Sequence, residues 1–382
     1  MLLQPTASTW HAHGVTCLRK TTARSVFALA LSLALGCGDS APIGGGGDGG
    51  GATGGHAAGG TSGTGGNLGD PAPVDPSVPS VFRAVVFADS HVIGPQYECC
   101  SESPGIDNIS IVKTEERLRS AVSRLNAIEP RPEIAFLLGD VVHDAHHENE
   151  AAWYTENRNA FTVAREVLSE LEIPLHYLWG NHDYEVRCNG TSFDQSLSHE
   201  LFREFFDSDP YHSVDFAGWK FLMLNGQLGA SWDPEDERCS TGNASFGAEQ
   251  LAWVAEQLDE GAPTVIMNHH MSALWMPSEF PDAENADMET VLGRYENDQL
   301  RFMGHTHRWL EFASKNEFVL GATRYDDDNF WLVEFDGTDG TYRILDEAKA
   351  INQGTCAETY VYDGIPVPVE DAPETGDCVV GF

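Results

Sequence analysis

The sequence predicts a mixed α/β domain, and three observations predict it. Short apolar runs rich in β-branched and aromatic residues recur between Phe82 and Leu345. Stretches with helical spacing of apolar residues alternate with the first of these runs, while the later half is richer in strands. The runs are continuously apolar, as strands are when helices or a second sheet cover both faces.

In chain order, Phe82–Ala88 (FRAVVFA) and Glu133–Leu138 (EIAFLL) read as strands. Between them Thr114–Ile128 reads as a helix, with Leu118, Ala121, Val122, Leu125 and Ile128 at helical spacing. A polar helix over Glu150–Leu171 leads to the apolar run Leu175–Trp179. Further strands are expected at Ser213–Phe216, Lys220–Leu224, Thr264–Met267, Leu300–Met303, Glu317–Leu320, Phe330–Phe335 and Thr341–Leu345. Helices are expected at Ser198–Phe206, Ala248–Leu258 and Ala286–Arg294, and no internal repeat is present.

The amino-terminal part is of another kind. Arg19, Lys20 and Arg24 precede the apolar run Ser25–Gly36, which is shorter than the roughly 20 residues of a membrane span and fits the core of a signal peptide. Residues 1–36 are therefore expected to direct export, and the long stretch before Arg19 suits a start codon further downstream. Cys37 follows the run directly in LALGCGDS, which resembles the lipobox of bacterial lipoproteins, although that pattern prefers Leu where Ala34 stands. Two readings stay open: a cell-envelope lipoprotein lipidated at Cys37, or a secreted protein cleaved nearby. Residues 37–80 are rich in glycine and then proline, a linker composition with a reach of roughly 35–40 Å. The folded domain is expected over 81–348 and a tail over 349–382.

Asp plus Glu number 59 against 22 Lys plus Arg, a formal charge of −37. Residues 1–36 hold three basic and no acidic residues, so their removal leaves −40. Such a field opposes non-specific binding to nucleic acid or anionic lipid. Of eight cysteines, Cys99, Cys100, Cys188, Cys239, Cys356 and Cys378 lie beyond the linker. Six in an exported domain suit up to three disulfides, of which Cys356 with Cys378 would clasp the tail. No CxxC pair supports a thiolate metal site.

The chemistry gathers where the apolar runs end. FADSH supplies Asp89 and His91, LLGDVVHD supplies Asp140, His143 and Asp144, and WGNHDY supplies Asn181, His182 and Asp183. MNHH supplies Asn268, His269 and His270, and MGHTH supplies His305 and His307. In open α/β sheets ligands collect at the carboxyl ends of strands. If GHTH continues its strand, side-chain alternation aims His305 and His307 at one point. The donors are oxygen and imidazole nitrogen without thiolate, a set suited to Zn, Mn, Fe or Ca.

The series DxH, GD, GNHD, H and GHxH, in that order from Phe82 to about Phe335, resembles the calcineurin-like metallophosphoesterases. The resemblance implies a two-sheet β-sandwich flanked by helices, a four-layer αββα arrangement, holding two divalent metal ions. It assigns Asp89, His91 and His307 to one ion, Asn181, His269 and His305 to the other, and Asp140 to both. His269 is preferred to His270 because the family ligand stands two places before a proline, a slot taken here by Met271. His182 would act beside the leaving oxygen, with Asp183 orienting its ring or serving as a cap or turn residue. The implied activity is hydrolysis of small phosphomonoesters or phosphodiesters outside the cytoplasm, by in-line attack of a metal-bridging hydroxide. The alternative is a catalytically weak cell-surface binding lipoprotein that keeps the fold and metals. A zinc hydrolase of the β-lactamase type would carry HxHxDH, which is absent.

Departures narrow the family. His143 stands where purple acid phosphatases carry Tyr, and Asp144 comes one place later than the Asp of many relatives. His146 and His147 read as a solvated loop. The insertion Gly94–Ser110 is expected to cap the site, pinned through Cys99 or Cys100. Arg324 and Tyr325 follow a strand and read either as phosphate-facing residues or as a surface ion pair.

Overall fold

The computed structural model describes residues 80–98, 110–185, 187–188 and 193–345, together with the backbone of 359–362 and 365–368. The expected export signal and linker, Cys99, Cys100, Cys356, Cys378 and most of the expected cap lie outside the described residues.

Two mixed sheets are present. The first contains β1 (Val81–Phe87), β2 (Ile134–Leu138), β3 (Leu175–Leu178), β10 (Phe330–Asp336) and β11 (Thr341–Ile344), in the order β11-β10-β1-β2-β3. The second contains β4 (His212–Phe216), β5 (Trp219–Met223), β6 (Thr264–Asn268), β7 (Asp298–Met303), β8 (Leu310–Phe312) and β9 (Glu317–Val319), in the order β4-β5-β6-β7-β9-β8. Phe82, Ala84, Val86, Phe136 and Leu138 of the first sheet pack against Phe221, Met223, Val265, Met267 and Phe302 of the second in one buried cluster. The opposite residues of the same strands face helices, because side chains alternate along a strand.

On the outer face of the first sheet, Val85, Phe87 and Leu137 meet α1 (Thr114–Asn126), α2 (Ala151–Glu156), α3 (Ala160–Leu168) and α4 (Gln195–Phe206) through Leu118, Tyr154, Phe161 and Phe202. On the outer face of the second, Leu222, Ile266 and Met303 meet α5 (Gly247–Asp259) and α6 (Met288–Leu292) through Leu251, Val254 and Val291. These four layers are the expected sandwich. They also explain why the strands are apolar without alternation: both faces are covered.

Differences from the expected elements have physical causes. The single polar helix over Glu150–Leu171 is two, because Asn159 caps α3. Its side chain accepts from Thr162 N at 3.1 Å, and Thr162 Oγ1 accepts from Asn159 N at 2.8 Å. Asn competes in this way for backbone groups that a continuing helix would need. His146 is not solvated: it is buried, its Nε2 lies 3.0 Å from Ser198 Oγ, and its ring packs on Phe161 and Phe193. The short β8 and the antiparallel pair β12 (Thr359–Tyr362) and β13 (Ile365–Pro368) were not expected. No helix of the described residues is long and apolar enough to cross a membrane.

Candidate active site

β1, β2 and β3 run parallel, as do β5, β6 and β7. Their carboxyl ends therefore share an edge within each sheet, and the five strand ends bearing Asp, Asn and His converge. Asp89 and His91 follow β1, Asp140 follows β2, and Asn181 and His182 follow β3. His269 follows β6, and His305 and His307 follow β7.

The chain turns sharply at each of these points. Asp89, His91, Asp140, His305 and His307 all adopt left-handed backbone, with φ of 57°, 48°, 48°, 71° and 58°. Residues with a Cβ pay about 1–2 kcal/mol for that conformation, and such strain concentrates at functional sites. Two glycines permit the convergence. Gly139 has φ of 78°, and a Cβ on Gly180 would overlap Asp140 Oδ1.

Two groups of donors result, each with its ligand atoms within 4.8 Å: Asp89, His91, Asp140 and His307, and Asp140, His269 and His305. In the first, His91 Nε2 lies 2.9 Å from His307 Nε2 and 3.5 Å from Asp140 Oδ2, and His307 Nε2 lies 3.3 Å from Asp89 Oδ1. In the second, His305 Nδ1 lies 3.0 Å from Asn181 Oδ1 and 3.3 Å from His269 Nε2, which is 3.1 Å from Asp140 Oδ2. Asp140 belongs to both groups, while its Oδ1 accepts from His182 N at 2.9 Å.

The two histidines of GHTH thus divide between the groups instead of sharing a target. The expectation of an extended GHTH is corrected: β7 stops at Met303, and the left-handed turns at His305 and His307 abolish strand alternation.

The donor chemistry fits cations. His269 Nδ1 lies 2.8 Å from Leu138 O, a group that only accepts, so Nδ1 carries a proton. The Nε2 lone pair of a neutral His269 then faces the Asp140 carboxylate, an acceptor against an acceptor. Without an ion a second proton fills that place. Burial opposes it, but the charge and hydrogen bond of Asp140 outweigh burial and raise the His269 pKa to about 9. His91 and His305 go the other way, lowered first by burial. Neutral imidazoles pressed against carboxylates are what divalent metal binding requires.

His270 belongs to neither group. Its Nε2 bonds Thr241 O at 3.0 Å, and burial pushes its pKa to about 3. His182 lies outside both groups too, its ring between those of His91 and His143 at 4.9 and 4.4 Å. His182 makes no ring hydrogen bond among the described residues, and burial lowers its pKa. Asp183 does not bond that ring. Its Oδ1 accepts from Val142 N at 3.1 Å and its Oδ2 from Gly180 N at 2.8 Å, tying the loop after β2 to the loop after β3.

Three residues of this surround were only partly legible in the sequence. His143 Nδ1 lies 3.1 Å from His91 Nδ1, and burial pushes its pKa to about 3. His91, His143 and His182 form a third set of nitrogens within 4.8 Å, lacking a carboxylate. Arg324 is no surface residue: it is buried, its N donates to Asp89 O at 3.0 Å and its Nε to Ser110 Oγ at 2.9 Å. Tyr325 OH stands 3.4 Å from His307 Nδ1. Their position after a strand end was the available signal. Cys188 and Cys239 form a disulfide.

The family model for calcineurin-like phosphoesterases matches residues 82–309. No curated protein matches by sequence. Among solved structures, TT1561 of Thermus thermophilus is 12% identical with a TM-score of 0.38, covering 69% of this chain and 98% of its own. YfkN of Bacillus subtilis, described as a calcineurin-like phosphoesterase, is 10% identical with a TM-score of 0.36, covering 69% and 88%. The NAD nucleotidase of Haemophilus influenzae is 13% identical with a TM-score of 0.34, covering 69% and 49%.

Proposed function

The chain belongs to the calcineurin-like phosphoesterases, and from that premise we propose that it is a binuclear-metal hydrolase of small phosphomonoesters or phosphodiesters acting outside the cytoplasm. The observation that carries the reading is the placement of Asp140 in both donor groups, with Oδ2 3.1 Å from His269 Nε2 and 3.5 Å from His91 Nε2.

Asp89, His91, Asp140 and His307 would hold one ion, and Asp140, Asn181, His269 and His305 the other. Two divalent ions so held supply a water of lowered pKa and positive charge opposite the phosphoryl oxygens. The chain's own residues do the rest. Asp183 fixes the two loops that present Asp140 and Asn181, so the site is set before substrate arrives. His182, whose ring nitrogens make no hydrogen bond among the described residues, gives a proton or a hydrogen bond to the departing oxygen. His143 stacks on it and limits its rotation.

Action outside the cytoplasm draws support from the Cys188–Cys239 disulfide, a bond that persists in oxidising compartments. Lipid attachment at Cys37 would then tether the domain to the membrane. The net charge favours small phosphoesters over nucleic acid.

The test is a panel of aryl phosphomonoesters and phosphodiesters with metal-loaded protein. Asp140→Asn is expected to lose both ions and turnover. His182→Ala is expected to keep the ions and lose about 10²- to 10⁴-fold in turnover. A folded, metal-loaded wild type inert on the whole panel would favour the binding-protein alternative.

A further inference from the structure

Two loops bordering the site are joined covalently. Cys188, on the segment that follows His182, is bonded to Cys239, and Thr241 comes two residues later. The carbonyl of Thr241 bonds His270 Nε2 at 3.0 Å. A carbonyl only accepts, so Nε2 carries the proton and Nδ1 keeps a lone pair. That Nδ1 is buried without a partner among the described residues, which leaves Thr241 as the hydrogen bond that orients the ring. The backbone of His270 is fixed as well: its N donates to Asn268 Oδ1 at 3.0 Å, and its O accepts from Trp275 Nε1 at 2.9 Å. The ring so held lies 4.1 Å from the ring of His305 and forms the wall behind it. The first donor group is supported elsewhere, His91 by His143 and His307 by Tyr325.

We propose that the Cys188–Cys239 disulfide and His270 are positioning residues for the Asp140–Asn181–His269–His305 group alone, acting through Thr241 on the placement of His305. This rests on the reading that both donor groups hold a cation. The second group is then completed only when the two thiols are oxidised. A partner disulfide accepts two electrons and two protons from Cys188 and Cys239 by exchange and leaves as two thiols.

The experiment titrates the full-length oxidised protein with Zn²⁺ alone and follows heat and stoichiometry, with thermal melts to establish folding. The Cys188→Ser/Cys239→Ser double variant, His270→Leu and His270→Gln are compared. Wild type is expected to bind two equivalents. The double variant and His270→Leu should keep the first at unchanged affinity and bind the second at least tenfold more weakly. His270→Gln, whose amide can donate to the Thr241 carbonyl, should recover most of the loss. Unchanged affinity for both equivalents in either the folded double variant or His270→Leu would overturn the proposal. If the double variant fails to fold, the two His270 variants decide on the intact disulfide, and leucine binding as tightly as wild type overturns it. A wild type that binds fewer than two ions removes the reading of the site itself, and the proposal with it.

Discussion

His269 shows how one residue couples the site to solution conditions. Its folded pKa of about 9 stands above the ordinary value of 6.5, through the charge of Asp140 against the opposing effect of burial. In the ion-free protein this contributes stability that is fully present below pH 6.5 and is lost as pH rises through 9. An ion must displace that proton. Zinc binding at pH 7 should therefore release about one proton from His269, seen as a calorimetric heat that varies with the ionisation enthalpy of the buffer. A heat independent of buffer would contradict the assignment. His146 has the opposite sign: burial holds it near 3, so the neutral ring stabilises the fold above pH 6.5 and that contribution is lost as pH falls towards 3. Between pH 7 and pH 5 wild type should lose about 2 kcal/mol that His146→Leu does not, by urea unfolding at both values.

At the scale of elements, the break between α2 and α3 rests on Asn159. Its side chain, itself fully buried, caps α3 and also donates to Tyr154 O at 2.6 Å and Asn157 O at 2.8 Å. Asn159→Ala should cost about 1–2 kcal/mol in thermal unfolding; a change under a few tenths would mean that the two helices do not depend on this cap. The strands of both sheets were legible because continuous runs such as VVF and FLL have no other economical burial than between two layers. The strand-end donors were legible for the same reason, since a run that stops at Asp or His stops at the sheet edge. What the sequence hid was backbone handedness. Nothing in GHTH marks His305 and His307 as left-handed, so alternation aimed them together when the turns send them to different groups. His146 was misread because a polar-looking loop, HDAHHE, is folded under Phe161 and Phe193 by contacts from distant residues. The roles of Asp183 and Arg324 were likewise set by partners far along the chain, Val142 for one and Ser110 for the other.

At the scale of the whole molecule, a chain of formal charge −37 carries a site that concentrates two carboxylates, Asp89 and Asp140, beside the four imidazoles of His91, His269, His305 and His307. Divalent cations answer both the local field and the net charge, and each ion bound should stabilise the folded state by about 2.7 kcal/mol at a free concentration a hundredfold above its Kd. The disulfide closes a span of 51 residues, worth about 4 kcal/mol on a chain-entropy count. The central claim is that Asp140 lies between two ions. Anomalous diffraction from a zinc- or manganese-loaded crystal measures this directly. Two peaks roughly 3.5–4 Å apart, each within coordination distance of the Asp140 carboxylate, are the result expected. A single peak, or two that do not share Asp140, would contradict it.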